Sequence, residues 1–294
     1  MLNSKKGRAL LVIAIVCGIG GIWFLSHDTR TTYKGRSLDH WLDNGSEAEL
    51  KEAVHAIGTN AIPRLLKLLQ ADHKSISHKI HREVAEAAYA ANIQVAIPFE
   101  PAYDKWAKAE KGFAALGTNA WPAVPILSNW LVRGEFPQAA SGLFAIGEAG
   151  VPALLSASQS ENEDIRRAVA GIAAGAGFGD TNMTVNDRRL IQALVAMTQD
   201  QEHLVRAFAV LSLAGATSAP DLVIPALTTG LNDPQKDVRR CSARSLGYFG
   251  PLATNAVPRL QEMTLETNSG ASSAALEALR RIQSVSDGSP IPRQ

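Results

Sequence analysis

The sequence predicts an all-α fold: a right-handed solenoid of about six stacked helical hairpins, preceded by one N-terminal transmembrane helix. Three observations carry this reading. First, a phrase recurs, as Ala56-Ile57-Gly58-Thr59-Asn60-Ala61-Ile62-Pro63, Ala115-Leu116-Gly117-Thr118-Asn119-Ala120-Trp121-Pro122 and Ala145-Ile146-Gly147-Glu148-Ala149-Gly150-Val151-Pro152. A looser copy ends in Ala256-Val257-Pro258-Arg259-Leu260. Second, the spacing is steady: Gly117 and Gly147 are 30 residues apart, Pro225 and Pro258 are 33, and Gly58 and Gly117 are 59, close to two units, which is the period of helical repeats. Third, the run 9–25 carries no charge.

That run has 17 residues and follows Lys5, Lys6 and Arg8. Its length is at the short end for a membrane span, and the preceding basic residues place the N-terminus in the cytoplasm and the rest of the chain across the membrane. Cleavage after the small residues Gly18 and Gly20 is the competing reading, but Trp23, Phe24 and Leu25 continue the apolar run beyond them. A lipoprotein signal fits poorly, because Val16 and not a small residue precedes Cys17. The division expected is therefore a stub and anchor over 1–26, a linker with a capping helix over 27–45, a solenoid over 46–284 and a tail over 285–294. The location expected is the inner membrane, crossed once, with the repeats on the periplasmic or extracytoplasmic side.

In the linker, Ser37 is suited to cap a short helix whose Leu38, Trp41 and Leu42 would cover the open end of the first hairpin. In that hairpin, Leu50, Ala53, Val54 and Ile57 fall on one helical stripe. Gly58 ends the helix, because glycine takes a positive φ without a Cβ penalty; Gly117 and Gly147 are expected to do the same. Asn60 is expected to cap the next helix, with Pro63 at N3 and a stripe of Ile62, Leu65, Leu66 and Leu69. Two apolar faces per hairpin cannot be buried by one hairpin alone, so the units must stack.

Three stretches break the pattern. Residues 79–91 read as an additional helix, followed by a loop over 92–101 with Pro98 and Pro101. Pro125, three residues after Pro122, makes the second helix of that unit start late or kink. The glycines of 171–180 end a helix early and lead into a polar loop that runs to Asn186.

Helix openings recur as Asp164-Ile165-Arg166-Arg167-Ala168, Leu204-Val205-Arg206-Ala207 and Asp237-Val238-Arg239-Arg240. Together with the Leu/Ile-Gly helix ends and the Ala-Ile/Val-Pro-x-Leu openings, they resemble HEAT repeats, in the short variety also found in the phycobilin lyase group. The lead-in and the uncharged run are similar to membrane-anchored bacterial HEAT proteins. This resemblance implies that the second helix of each hairpin lines the concave side and that a protein partner docks there. The helix-opening arginines Arg166, Arg206 and Arg239 are expected to reach carboxylates or helix-end carbonyls along the stack.

Charge and composition narrow the chemistry. The chain has 294 residues and a formal net charge of +1, and without Lys5, Lys6 and Arg8 its bases fall below its 28 acids, so nucleic acid is not an expected partner. His73, His78 and His81 lie near Glu83, but no HExxH or CxxC pattern accompanies them, and no metal site is expected. Gly175, Gly177 and Gly179 lack the strand before and the Lys-Ser/Thr after that a phosphate loop requires. The sequon Asn182-Met183-Thr184 reads as chance. Cys241 sits at a core register with no histidine near it in sequence.

No catalytic residue and no cofactor is therefore expected. The function expected is a membrane-tethered scaffold binding a protein partner; the alternative is a lyase-like or chaperone-like enzyme accessory acting on a cofactor-bearing protein. The partner surface expected comprises Arg64 and Lys67, Trp130 and Arg133, and Arg259 and Glu262, the positions left on second helices once the apolar stripe is assigned. An exposed tryptophan beside arginines is a combination enriched at binding hot spots.

Overall fold

The computed structural model describes residues 31–71, 102–174, 184–266 and 270–283. The uncharged run, the 79–91 helix, the loop over 92–101, the histidine cluster, Asn182 and Met183 of the sequon and the 285–294 tail lie outside these residues. Among the described residues, no helix is long and apolar enough to cross a membrane.

The described residues open with a feature that the all-α reading missed. A two-stranded antiparallel hairpin, β1 (Thr32–Tyr33) and β2 (Arg36–Ser37), turns at Lys34 and Gly35, both at positive φ. Ser37 then caps α1 (Leu38–Asn44), accepting from the His40 amide, and Leu38, Trp41 and Leu42 are buried as expected. The Trp41 indole donates to the Tyr33 carbonyl at 3.2 Å, and Tyr33 in turn bonds to Glu52 on the first repeat helix. The hairpin and α1 thus close the N-terminal end of the stack, as a solenoid requires.

Among the described residues six hairpins follow: α2 (Glu47–Ile57) with α3 (Ile62–Leu69), α4 (Ala102–Leu116) with α5 (Val124–Val132), α6 (Ala139–Ile146) with α7 (Val151–Ala157), α8 (Glu163–Ala170) with α9 (Arg188–Met197), α10 (His203–Ser212) with α11 (Pro220–Gly230), and α12 (Lys236–Tyr248) with α13 (Val257–Met263). A last helix, α14 (Gly270–Gln283), covers α12 and α13. First helices pack on first helices from α2 to α14, and α5, α7, α9 and α11 lie side by side as a second layer. One continuous apolar core runs between the layers.

The turn within each hairpin explains the recurring phrase. Gly58, Gly117, Gly147 and Gly250 all adopt positive φ, and a 3₁₀ turn leads from each into the second helix. Asn60 does not cap that helix. It lies inside the 3₁₀ turn and donates to the Ile57 carbonyl, while Ala61 occupies the cap position without a side-chain bond and Pro63 falls at N2. The turn itself supplies the preceding carbonyls, so no side-chain cap is needed. The second-helix stripe also shifts. Leu68, not Leu66, is buried beside Ile62, Leu65 and Leu69, and Leu66 is half-buried against the core edge. Pro125 does delay α5, through a longer 3₁₀ turn over Gly117–Ala123 that leaves Trp121 exposed.

In these four hairpins the residue two before the proline at N2 of the second helix is small and buried: Ala61, Ala123, Gly150 and Ala256. At Gly150 a Cβ would collide with the Leu143 carbonyl oxygen, because the turn lies flat on the end of α6. Gly147 has open space around it but φ of +85°. Gly147→Ala is therefore expected to cost about 1 kcal/mol through backbone strain, and Gly150→Ala more, about 1–3 kcal/mol through overpacking. Urea midpoints that rank the two in the opposite order would show that the turn does not pack this way.

The early end of α8 is patched from the next unit. The Ser212 hydroxyl, fully buried on α10, donates to the Ala170 carbonyl at 2.6 Å and accepts from the Ala173 amide at 3.1 Å. Two backbone groups freed where the helix stops at Gly171 thus keep partners without water.

Candidate docking surface

The arginines at the helix openings are built into the stack. Arg166 makes a two-point pair with Asp200, at 2.7 and 3.0 Å, and Arg206 makes the same pair with Asp233, at 2.6 and 3.0 Å. Arg239 reaches Glu266 through one nitrogen at 2.8 Å. Each guanidinium also donates to two carbonyls at the end of the preceding unit: Ser160 and Glu161, Asp200 and Gln201, and Asp233 and Pro234. Every arginine therefore clamps the end of one second helix to the end of the next. The side chains of Arg166, Asp200, Arg206 and Asp233 are about nine-tenths buried.

Burial alone would push the Asp200 carboxyl up. The hydrogen bonds from Arg166 and the Glu202 amide, with the charges of Arg166 and Arg206, outweigh it and hold the group below the usual carboxylate range. Asp233 is held low in the same way, by Arg206 and the Gln235 amide against the cost of burial. Burial pushes the Cys241 thiol up, and the residue is a buried core position on α12.

The six surface positions expected from sequence have diverse environments. Arg64 pairs with Asp39 of α1 at 2.9 Å, tying the first repeat to its cap, and Lys67 is exposed. Trp130 is half-buried and packs on Phe136, with ring centroids 5.0 Å apart, so it is not the exposed aromatic expected. Trp121, in the 3₁₀ turn ahead of α5, is the exposed tryptophan of this unit. Arg133 faces Glu135 at 3.5 Å on the surface. Arg259 donates to Glu262 at 2.8 Å and to the Leu231 carbonyl of the preceding unit.

A shallow groove of about 450 Å³ lies between α7 and α9. Leu155, Ala193, Ala196 and Met197 form its floor, and Ser158, Gln159, Gln192 and Arg189 its polar rim. Across α5, α7, α9 and α11 the charged residues are Arg188, Arg189 and Asp221. All three are paired: Arg188 with Asp221 at 2.9 Å and Arg189 with Asp187 at 2.7 Å. Among the described residues, these four helices thus carry no unpaired charge. Sequence reasoning, which looked for arginines and tryptophan, missed this strip; the near-absence of Asp, Glu, Lys and Arg from these four helices was the available signal. Among the described residues, no group of three or more histidine, cysteine, aspartate or glutamate side chains could hold a metal ion.

Residues 151–247 match the model of a family described as HEAT repeats, a stretch that runs from α7 into the end of α12. No curated protein matches the chain. Among solved structures, an engineered protein is 19% identical, with a TM-score of 0.43, covering 84% of this chain and 67% of that one. A designed armadillo repeat protein in complex with the peptide (KR)4 is 15% identical, with a TM-score of 0.41, covering 83% and 98%. Cex1p is 13% identical, with a TM-score of 0.39, covering 99% of this chain and 57% of that one.

Proposed function

We propose that this chain is a membrane-tethered, non-catalytic scaffold that binds a protein partner along the second-helix layer, on the extracytoplasmic side. The observation that supports it most is the clamped row of helix ends. Arginine pairs fix one end of the second layer unit by unit, giving an extended, pre-organised surface that pays little ordering entropy on binding. The surface carries an open groove and exposed apolar side chains at Ile126 and Val132 of α5.

Photo-crosslinking tests the docking. A photoreactive residue placed at Lys67, Gln192 or Glu262 on the second layer is expected to give one discrete adduct in native membranes, whereas the same group at Arg167 or Arg240 on first helices gives none. Equal adducts from both layers, or none from the second, would remove the basis for this reading. The tether has its own test. Protease added to spheroplasts is expected to digest the repeats, and carbonate washing is expected to leave the intact chain in the membrane pellet. Protection of the repeats, or a soluble mature form beginning after Gly20, would sink the anchor.

A further inference from the structure

The two ends of the stack are finished differently. At the N-terminal end the β1–β2 hairpin and α1 cover the first repeat, and Leu38, Trp41 and Leu42 are buried in the core. At the other end large apolar side chains stand exposed: Leu252 in the turn between α12 and α13 (64%), Leu265 just beyond α13 (80%) and Leu276 on α14 (47%). The Ser272 hydroxyl of α14 donates to the Thr264 carbonyl at 3.0 Å, so Leu276, one turn further along α14, and Leu265, next to Thr264, border the same edge. The residue of α12 that corresponds to Leu276 is Ser242, which is fully buried. The difference has a plain cause. A second helix follows α12, whereas among the described residues none follows α14.

The sequence carries what this open edge lacks. α14 starts 34 residues after α12, and the same offset takes the turn Gly250–Ala256 to 284–290 and the opening Val257-Pro258-Arg259 of α13 to Ile291-Pro292-Arg293. The tripeptide Ile62-Pro63-Arg64 that opens α3 is identical to it. Proline at N2 lacks an N–H that would have no intrahelical partner in the first turn, so this tripeptide marks a helix opening. Its arginine binds backwards in both described hairpins: Arg64 pairs with Asp39 of α1, and Arg259 donates to the Leu231 carbonyl just beyond α11. Leu231 has its counterpart at Thr264, 33 residues on, as Pro225 has at Pro258. The turns also stack, the first on the second and the second on the third. Position 291 corresponds to Val257, which is half-buried against the core, and position 286 to the exposed Leu252.

We infer that residues 284–294 dock on this end of the stack as the opening of a seventh hairpin. Residues 284–290 lie over the Gly250–Ala256 turn and cover Leu252, Ile291 packs against α14, and Arg293 reaches the end of α13 beside Leu265. The apolar end is then covered from within the chain, and a second copy finds no exposed patch there on which to stack. Neither the membrane tether nor the second-layer groove enters this docking.

The test uses the full-length protein in detergent, with photoreactive benzoylphenylalanine in place of Leu252. Illumination is expected to give a crosslink within one chain to a peptide of 284–294, read by mass spectrometry. Hydrogen exchange reads the same contact without a crosslinker. Ile291→Asp is expected to speed amide exchange over 250–263 about fivefold or more by opening that edge, with exchange over 139–157 unchanged. Arg293→Ala is expected to act in the same direction and less strongly, whereas Ser286→Asp, at the exposed position of the turn, leaves exchange unchanged. A crosslink to a second copy, or none to 284–294, would overturn the inference. Exchange over 250–263 that is equal in Ile291→Asp and the unaltered chain, or that Ser286→Asp raises as much, would overturn it too.

Discussion

Arg206→Ala is expected to destabilise the solenoid by about 3–5 kcal/mol, because it leaves Asp233 buried without its countercharge. The Asp233 side chain is 8% exposed, and both its carboxylate oxygens are held by Arg206. The same change also strips donors from the Asp200 and Gln201 carbonyls, loosening the joint to the preceding unit. Arg188→Ala is the matched control: its pair with Asp221 is about 60% exposed on both sides, and such pairs contribute little. A urea midpoint for Arg206→Ala no lower than that for Arg188→Ala would show that the clamp does not hold the stack. The clamp also sets a pH dependence. Asp200 and Asp233 have folded pKa values below their unfolded ones, so their contribution is full above about pH 4 and is lost as pH falls through the lower folded values. Stability is expected to drop on acidification below about pH 4, and less steeply in Asp233→Asn, which has one such carboxylate fewer.

Leu65→Ala is expected to cost about 2–5 kcal/mol, and Leu66→Ala distinctly less. Leu65 is fully buried at the joint between α3 and α4, where α4 comes so close that a Cβ on Gly112 would run into the Leu65 side chain. Removing Leu65 opens a cavity facing a glycine, and nothing nearby can extend to fill it. Leu66 is only half-buried, so truncating it removes less contact and lets water in. Equal losses for the two in chemical denaturation would place the stripe of α3 back where the sequence alone put it.

Two kinds of information separate in this chain. The hairpin period, the positive-φ glycines, the capping role of Leu38, Trp41 and Leu42, the late start of α5 and the structural use of Arg166, Arg206 and Arg239 were legible in the sequence. Each depends on local backbone rules or on a pattern repeated often enough to cancel chance. The role of Asn60, the burial of Leu68 over Leu66, the inward turn of Trp130 and the small buried residue ahead of the proline in the four 3₁₀-turn hairpins were decided by the tertiary structure. The reason is geometric. A 3₁₀ turn advances the chain by fewer residues per turn than an α-helix, so inserting one rotates the whole following helix relative to the stripe read at α-helical spacing. Only the contact with the neighbouring unit fixes how far that rotation goes, and with it which side chains face the core and which remain for a partner.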